Sequence, residues 1–360
     1  MSSRRVILVG GGTAGHVEPA LAVARWLMSA DSSISCEFIG TKSGLEVRLI
    51  PAAGYRLHTI RKAALPRSIN IDSLAFPFTF SISVLQALRA IRGAEIVIGF
   101  GGYVSASSYI AARIARKPVV IHEANAIPGW ANKLGAKFAR RVAIAFEASR
   151  RTGGDWNSAI LTGMPMRSSI AESQSHSSDR SDYLSQFGLN EKLPTVLVFG
   201  GSQGARSINE AIAQTLAKRT DIQIIHSLGK SADLPAATST YKPVSYIDEM
   251  EKAYIAADLI ISRSGAVSCA EIACVGRYAV LVPLPIGNGE QEANAIELTQ
   301  NGAAEICLNR DFSAAWLDIN IDRLLAKARD YRGTSHPSIH ASAAKAVGEL
   351  ALDLMNSVGA

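Results

Sequence analysis

This chain is poor in cysteine, in aromatic residues and in long apolar runs. Its 360 residues contain four scattered cysteines, without a CxxC pair, and aromatic residues make up only 6%. The cysteine spacing excludes a readable zinc site or disulfide framework and fits a reducing compartment. The longest uncharged stretches, residues 73–88 and 96–112, are shorter than the roughly 18–20 apolar residues that span a bilayer. The sequence therefore predicts no membrane-spanning segment.

Charge is distributed unevenly along the chain. Residues 1–167 contain 21 Lys/Arg and 9 Asp/Glu, a net charge of +12, whereas residues 168–360 contain 16 and 22, a net charge of −6. A composition of 48% hydrophobic and 19% charged residues supports a buried core and excludes a disordered chain, a collagen and a coiled coil. The basic first half indicates an anionic partner surface, either nucleic acid or a membrane.

Short apolar runs alternate with helical patterns, which is typical of parallel sheets covered on both faces. The predicted strands are residues 5–9, 37–39, 96–98, 119–122 and 142–145, followed by 195–199, 222–227, 244–246, 259–262 and 278–282; two of the predicted helices are 18–29 and 207–217. A polar segment at 168–194 interrupts this pattern, and the strand-glycine-helix sequence of residues 6–15 recurs at 196–204. The sequence predicts an α/β protein of two Rossmann-like, doubly wound domains that face each other across a cleft.

Two glycine turns suggest phosphate or sugar binding. Gly10, Gly12 and Gly15 form a GxGxxG pattern between a predicted strand and a helix, and Gly200–Gly204 repeats the arrangement. Glycines let a phosphate approach the backbone, and the N-terminus of the next helix offers N–H groups. No acidic residue ends the second predicted strand, which argues against an NAD site. A tight turn with a purely structural role is the alternative for each.

Three more clusters follow predicted strands, at residues 99–103, 122–125 and 262–271. Ligands bind at the carboxyl ends of strands in open α/β sheets, so these loops are expected to line the cleft. Glu271 lies one helical turn beyond Ser264–Ser268 and could accept hydrogen bonds from ribose hydroxyls. Gln291 and Asn294 begin the next helix near a sugar-binding edge. For His122 and its neighbours, buried and structurally paired side chains are the alternative.

In order and spacing these motifs resemble the MurG family of peptidoglycan N-acetylglucosaminyltransferases, from residue 6 to about residue 305. The motifs that carry the resemblance are Gly11–His16 with Pro19, Gly101–Ser105, His122–Asn125, Gly200–Arg206, Tyr246–Met250 and Arg263–Glu271. The resemblance implies a GT-B fold. It places an N-terminal domain for the acceptor and the membrane at residues 1–165, a donor-binding domain at 166–345, and a C-terminal helix at 346–360 that packs back on the first domain.

The family resemblance also implies the reaction. N-acetylglucosamine is transferred from UDP-N-acetylglucosamine to the 4-hydroxyl of the muramoyl sugar of lipid I, with inversion, which gives lipid II. The expected partners are UDP-N-acetylglucosamine, lipid I, the anionic inner leaflet and other cell-wall synthesis proteins, with no nucleic acid and no cofactor. Because the apolar run at residues 6–9 is too short for the core of a signal peptide, we expect a peripheral protein on the cytoplasmic face of the cell membrane.

By position, the resemblance assigns the substrate contacts. Thr13, Ala14, Gly15 and Asn125 are expected at the donor sugar, Arg167 and Ser202 at the nucleotide, and Ile247 at the uracil; Ala266, Val267, Ser268, Cys269, Ala270 and Glu271 are expected at the diphosphate and ribose, and Gln291 at the sugar. Three positions depart from the family pattern: Ala14 replaces a glycine, Met164 an asparagine, and Glu290 a residue that is often His or Gln.

One-step inversion requires a base that takes the acceptor proton. His16 is the first candidate because an imidazole titrates near neutral pH. Glu123 or His122 is the alternative base, and a structural role for His16 stays open. No Asp-x-Asp occurs, so no metal site is predicted. The helix N-termini after Ser202 and Gly265, with Arg167, are expected to stabilise the leaving diphosphate instead.

The most aromatic run, residues 74–82, has two interpretations. It forms either a core helix or an apolar patch that enters the membrane interface. The second interpretation places a ring of basic residues around the patch, namely Arg61, Lys62, Arg67, Arg89 and Arg92. Two other functions remain as alternatives. A UDP-N-acetylglucosamine 2-epimerase would share the fold and the nucleotide but needs no lipid surface, and a nucleotide-sugar sensor would lack catalysis.

Overall fold

The protein forms two compact units. The computed structural model describes residues 4–63, 71–173, 179–230, 232–331, 333 and 338–358. One unit comprises Met1–Arg167 and Ile339–Ala360, and the other comprises Ser168–Ser338. The chain therefore passes from one unit to the other after Arg167 and again after Ser338. The sequence prediction placed these two boundaries after residues 165 and 345.

The first unit contains a parallel seven-stranded sheet. Its strands are β1 (Arg4–Val9), β2 (Ile34–Gly40), β3 (Arg56–Thr59), β4 (Ile96–Gly99), β5 (Val119–Glu123), β6 (Arg141–Ile144) and β7 (Ile160–Leu161). They are ordered β3-β2-β1-β4-β5-β6-β7. Alternate residues of β1 enter two separate buried clusters, Val6 and Leu8 in one, Ile7 and Val9 in the other. The sheet is thus covered on both faces, which explains the continuous apolar runs.

The α-helices described in this unit before Arg167 are α1 (Ala14–Ala30), α2 (Glu46–Ala52), α3 (Ile71–Ile91), α4 (Ser105–Ile114) and α5 (Trp130–Ala136). Residues of α1 join the cluster on one face of the sheet, and residues of α3 and α4 join the cluster on the other face. Helix α1 begins earlier than its predicted start at residue 18, so His16 lies in its first turn. Within the described ranges, no helix combines the length and the apolar character needed to cross a membrane.

The second unit contains a parallel six-stranded sheet. Its strands are β8 (Thr195–Phe199), β9 (Gln223–Ser227), β10 (Tyr241–Val244), β11 (Leu259–Ser262), β12 (Tyr278–Leu281) and β13 (Ala304–Ile306), ordered β10-β9-β8-β11-β12-β13. Its helices are α6 (Ser168–Ala171), α7 (Arg180–Gln186), α8 (Arg206–Gln214), α9 (Met250–Ala256), α10 (Ala266–Val275), α11 (Glu290–Gln300) and α12 (Ala314–Asp330). The predicted fold class of two Rossmann-like parallel-sheet domains is confirmed.

One predicted strand is wrong. Residues 244–246 were expected to form it, but β10 ends at Val244 and Tyr246 lies in an exposed loop. The strand instead includes Pro243, which lacks the N–H that a central strand would need. This proline is accommodated because β10 is at the edge of the sheet.

The last helix, α13 (Ala343–Val358), belongs to the first unit. Its residues Val347 and Ala351 are fully buried in the same cluster as α1. Gly348 lies directly against the ring of Trp26, where a Cβ would find no room. Just before α13, Nδ1 of His340 accepts a hydrogen bond from the Met164 N–H at 2.9 Å. Met164, one of the departures from the family pattern, is therefore buried at the point where the chain returns.

Candidate active site

Three loops of the first unit meet at one edge of its sheet. Strand β4 pairs with β1 on one side, Val9 opposite Gly99, and with β5 on the other, Gly99 opposite Ile121. All three strands are parallel, so the loops that follow them emerge side by side. These loops comprise residues 10–13, 100–104 and 124–129, and they contain the glycine turns and the polar residues that the sequence singled out.

His16 is half-buried at this edge. Its Nδ1 lies 3.0 Å from the Thr13 hydroxyl, and a Cβ placed on Gly101 would come within 3.2 Å of its Nε2. Burial lowers the pKa of His16, whereas a hydrogen bond to the Gly11 backbone and the charge of Glu46 raise it, and the pKa remains below its ordinary value of 6.5. The imidazole is therefore neutral at pH 7 and able to accept a proton.

The two alternative bases are buried and already hydrogen-bonded. His122 is fully buried, its Nε2 lies 2.8 Å from the Gly163 carbonyl, and burial lowers its pKa to about 4. Glu123 is 3% exposed and accepts hydrogen bonds from the Asn125 N–H at 2.9 Å, the Gly129 N–H at 3.0 Å and the Asn132 amide at 2.9 Å. Burial raises the pKa of Glu123. Through these hydrogen bonds Glu123 holds the conformation of the loop that contains Asn125.

The other predicted site residues of the first unit lie as follows. Thr13 is exposed, Ala14 and Gly15 are half-buried at the start of α1, and half-buried Asn125 follows β5 at the same edge. Arg167 was predicted for the second domain but belongs to the first unit, and its Nε lies 4.0 Å from Glu18 of α1. The first unit therefore brings Thr13, His16 and the Asn125 loop to one edge of its sheet.

Glu46 is a residue that the sequence did not single out. It lies in the first turn of α2 and is fully buried. Its Oε2 accepts a hydrogen bond from the Gly12 N–H at 2.9 Å, and its Oε1 accepts from the N–H and the hydroxyl of Thr41 at 3.0 and 2.7 Å. An isolated acidic residue in a helical segment usually faces solvent. The glycines around Glu46 were the only feature of the sequence that could have indicated its burial.

The second unit contains a cavity at the equivalent edge. Strand β11 pairs with β8 and β12, which sets Ser262 opposite Phe199 and Leu281. Beyond these strand ends is a cavity of about 660 Å³. It is lined by the glycine turn after β8, the starts of α8 and α10 and the loop after β12, and its lining includes Gly200, Gly204, Ser207, Arg263, Gly265, Ser268, Gln291 and Asn309.

The backbone around this cavity is suited to an anion. Gly201 and Gly204 have φ values of +86° and +76°, and a Cβ on Gly204 would overlap the Leu228 carbonyl, so this turn requires glycine. Helices α8 and α10 both begin here, and their N-cap residues, Ala205 and Gly265, form no side-chain cap. The N–H groups of a first helical turn lack carbonyl partners within the helix and attract phosphate.

Arg263 braces the cavity wall and was absent from the predicted site residues. Its Nη1 donates to the Val282 and Pro283 carbonyls at 3.0 and 3.2 Å and to Asn309 Oδ1 at 2.8 Å, while Nη2 donates to the Ser207 hydroxyl at 3.1 Å. All these partners are neutral, so the guanidinium charge stays available to an anion. The sequence signal was present, since Arg263 follows the end of a predicted strand.

Of the predicted residues of the second unit, Ser268 and Gln291 line the cavity and the rest do not. Ser202 is half-buried within the glycine turn, and Ile247 is buried. Cys269 and Ala270 are buried in α10, so their side chains do not reach a ligand there. Ala266 and Val267 form the first turn of α10. Glu271 is 9% exposed and accepts a hydrogen bond from the hydroxyl of buried Tyr254 at 2.9 Å.

Comparison with known proteins identifies the family. Residues 6–144 match the glycosyltransferase family 28 N-terminal domain, and residues 195–350 match the family 28 C-terminal domain. The chain belongs to glycosyltransferase family 28. A family 28 relative from Frankia casuarinae, the UDP-N-acetylglucosamine--N-acetylmuramyl-(pentapeptide) pyrophosphoryl-undecaprenol N-acetylglucosamine transferase, is 42% identical over 94% of each chain. The transferase of the same name from Streptomyces coelicolor is 41% identical over 89% of each chain.

Solved structures agree with this family 28 assignment. The chain superposes on Acinetobacter baumannii MurG with a TM-score of 0.69 and 28% identity, covering 97% of this chain and 99% of that one. The predicted family resemblance is thereby confirmed. The UDP-GlcNAc 2-epimerase of Neisseria meningitidis gives a TM-score of 0.62 at 12% identity, covering 97% of this chain and 100% of that one, which is a similarity of fold alone.

Proposed function

We propose that this family 28 chain transfers N-acetylglucosamine from UDP-N-acetylglucosamine to the 4-hydroxyl of the muramoyl sugar of lipid I, giving lipid II. The observation that carries the proposal is the identity of 42% over 94% of both chains with a transferase whose name states this reaction. The glycine-lined edges of both units support it, because a nucleotide sugar and a lipid-linked diphosphate each need backbone donors for phosphate.

In this proposal the second unit binds the donor. The first turns of α8 and α10 and the Arg263 guanidinium donate hydrogen bonds to the diphosphate and stabilise the charge that grows as it leaves. Glu271, oriented by Tyr254, accepts from the ribose hydroxyls. Gln291 binds the sugar, with its Oε1 held by the Leu284 N–H at 2.9 Å. Ser202 contacts the nucleotide, and the segment of Ile247 contacts the uracil; a nucleotide contact of Arg167, which belongs to the first unit, stays a prediction of the family resemblance.

The base in this proposal is His16. The acceptor oxygen attacks the anomeric carbon, the bond from that carbon to the diphosphate oxygen breaks, and the acceptor proton passes to the imidazole. Attack opposite the leaving group inverts the anomeric centre. Thr13 orients the ring through the 3.0 Å contact with Nδ1. Glu123 contributes by holding the loop of Asn125, which meets the donor sugar.

The experiment is an assay with labelled UDP-N-acetylglucosamine and a lipid I analogue. We expect a β-linked disaccharide lipid and one UDP for each sugar transferred. A wild-type protein that instead converts UDP-N-acetylglucosamine to its 2-epimer without acceptor, or binds it without turnover, would contradict the proposal. Replacing His16 with Asn should lower kcat by at least about 100-fold while donor binding persists.

We propose that α3 brings the enzyme to an anionic membrane surface. Phe78, Ile82 and Leu85 are exposed at i, i+4 and i+7 spacing, so they form one apolar stripe, and Phe78 is 78% exposed. On the described part of the chain, exposed cations lie on or next to this helix in sequence or structure, namely Arg61, Lys62, Arg89 and Arg92. Arg67, the fifth predicted member of the ring, lies outside the described residues.

The packing around α3 supports this orientation. The Arg61 N–H donates to Gln86 of α3 at 2.7 Å, which holds that segment beside the helix. Helix α4 packs against α3 and is followed by Arg116 and Lys117. An apolar stripe beside cations matches the interface of an anionic bilayer. We accordingly propose a peripheral location on the cytoplasmic leaflet; contacts with other cell-wall synthesis proteins stay a prediction of the family resemblance.

A further inference from the structure

Glu46 is an acidic residue that the proposed reaction does not use directly. It is the one acidic side chain of the described residues that is completely inaccessible to solvent. Its carboxylate receives N–H groups from two different loops, Gly12 of the first glycine turn and Thr41 after β2. A carboxylate in such a place connects the two loops through its two oxygens.

The glycines around Glu46 are adapted to its carboxylate. A Cβ on Gly11 would come within 2.7 Å of Oε1, and a Cβ on Gly40 within 2.6 Å of Cγ. Gly44 leaves equally little room beside the same carboxylate. Three glycines thus make space for one side chain, which indicates that the carboxylate and the turn are built as a unit.

The contact with Gly12 bears directly on the start of α1. Gly12 has a φ of +91° and immediately precedes Thr13, the N-cap of α1. The Thr13 carbonyl accepts a hydrogen bond from the His16 N–H at 3.2 Å. Fixing the Gly12 N–H therefore fixes the first turn of α1, and with it the direction of the His16 ring.

The negative charge of Glu46 also acts on His16. Burial by itself raises the pKa of Glu46, but hydrogen bonds from Gly12 and Thr41 lower it below its ordinary value, so the group is ionised. In the part of the chain that the structure describes, no Lys or Arg forms an ion pair with it. Its negative charge raises the pKa of His16 against the effect of burial.

We propose that Glu46 is a positioning residue for glycosyl transfer, which holds the first glycine turn in place and supports the imidazolium that forms on His16. The inference rests on the proposed function, because it takes His16 as the base. A neutral side chain of the same shape would fill the space, but it would present only one acceptor oxygen and no charge.

The first test is Glu46→Gln. Its amide places a donor opposite an N–H group, so the turn shifts, and a displacement of about 1 Å near the chemistry costs about 100-fold in kcat. We expect that loss in kcat with a change of less than about threefold in KM for the donor. The titration midpoint of His16, followed by NMR on histidine-labelled protein and assigned with His16→Asn, should move to lower pH, as should the acid limb of the kcat profile.

Glu37→Gln is the matched control. Glu37 is also a hydrogen-bonded carboxylate of the first unit, paired with Arg5 and with His58, and it does not touch the glycine turn. Its loss should lower stability and leave the His16 midpoint unchanged. Should Glu46→Gln fail to fold, Glu46→Asp keeps the charge on a side chain one methylene shorter. We then expect kcat to fall about 10-fold while the His16 midpoint stays close to that of the wild type.

The outcomes separate this inference from the proposed function. An unchanged His16 midpoint in folded Glu46→Gln, or wild-type kcat in Glu46→Asp, overturns the role of Glu46. A shifted midpoint in a protein whose wild type transfers no sugar contradicts the proposed function and leaves the contact between Glu46 and the turn intact.

Discussion

At the scale of a single residue, the Arg263 side chain holds the cavity wall together through hydrogen bonds and also supplies a positive charge for an anion. Its four hydrogen bonds connect the end of β11 to the loop after β12, to α8 and to Asn309. A planar guanidinium can serve several acceptors that lie in different directions, which a lysine ammonium on a flexible stem does not reproduce. The wall of the cavity therefore depends on arginine and not only on positive charge.

Arg263→Lys is accordingly expected to weaken UDP binding by about 10-fold or more, since charge-assisted hydrogen bonds contribute about 1.5–3 kcal/mol each. Isothermal titration with UDP measures the change. Arg310→Lys provides the control, because Arg310 follows Asn309 in the chain, is exposed, and pairs with Asp311 at 3.7 Å. Wild-type affinity in Arg263→Lys would show that charge alone suffices there.

At the residue scale, the sequence predicted the place in the fold of residues that follow a strand end, while their chemical roles stay predictions. His16, Ser268 and Gln291 lie at the sheet edges where the sequence put them, because the carboxyl ends of parallel strands lie together. Glu46 was not predictable in the same way. Its role depends on two loops that meet only in the folded unit, and sequence spacing does not encode that meeting.

Helix α3 is the element that links the sheet to a surface. Its buried residues Val84, Ala87 and Ile91 join the core on one side, while the stripe of Phe78, Ile82 and Leu85 faces solvent on the other. Phe76 and Phe80 pack on each other with ring centroids 5.6 Å apart and are only half-exposed. The core interpretation is therefore correct for one face of this helix, and the membrane patch stays a proposal for the other face.

Replacing Phe78, Ile82 and Leu85 together with Ser should therefore reduce binding to vesicles that contain anionic lipid by at least about 10-fold, without loss of folding. Co-sedimentation at two salt concentrations measures this, and binding should fall as salt rises. The control replaces three exposed apolar residues of other helices, Met28→Ser in α1, Val47→Ser in α2 and Ile319→Ser in α12. Equal vesicle binding by both variants would contradict the role of α3.

The end of α4 contains the single described non-glycine residue with a positive φ, Arg116 at +54°. The Arg116 and Lys117 N–H groups close the helix by bonding to Arg113 and Ala112 carbonyls at 3.2 and 2.9 Å. Glycine is the usual residue at such a position because a Cβ is strained there. An arginine at this place therefore carries a cost in stability.

Arg116→Gly should therefore raise the free energy of unfolding by about 1 kcal/mol. Urea denaturation followed by circular dichroism measures the difference. Lys117→Gly, at the next residue, has no strain to relieve and should lower stability. A decrease in stability for Arg116→Gly would refute the strain, whatever its effect on membrane binding.

At the scale of the whole molecule, both units contain buried histidines that do not belong to the proposed chemistry. Burial lowers the pKa of His122 and His340 in the first unit and of His226 in the second, each to about 4. His226 is enclosed between Tyr241 and Asn209 at 3.0 and 3.1 Å. These groups are neutral in the folded protein across the range in which free histidine becomes charged.

Stability should consequently fall in mild acid. Between pH 6.5 and pH 4 these histidines bind protons in the unfolded chain but not in the folded chain. Their full contribution to the free energy of unfolding is therefore present above pH 6.5 and is lost as the pH falls to 4. Each histidine contributes up to about 3 kcal/mol. Urea midpoints measured across this range should drop, and His226→Gln should make the dependence shallower. A constant midpoint between pH 7 and 4.5 would contradict the burial of these rings.

The two-sheet architecture was predictable from the chain, and the exact elements were less so. Continuous apolar runs such as Val6–Val9 and Val196–Phe199 fixed the central strands of both sheets. The short edge strands β3, β7 and β13 were missed, because their residues are partly exposed and carry no continuous apolar pattern. The early start of α1 was missed since glycine and threonine usually precede a helix.

The return of the chain through α13 has a consequence for synthesis on the ribosome. Val347, Ala351, Leu354 and Met355 complete the buried cluster on one face of the first sheet, yet they emerge only after the whole second unit has been synthesised. The second unit, by contrast, is continuous from Ser168 to Ser338. The nascent chain must therefore carry an unfinished first core past the ribosome exit while the second unit can already be complete, and the emergence of α13 is the event that closes that core.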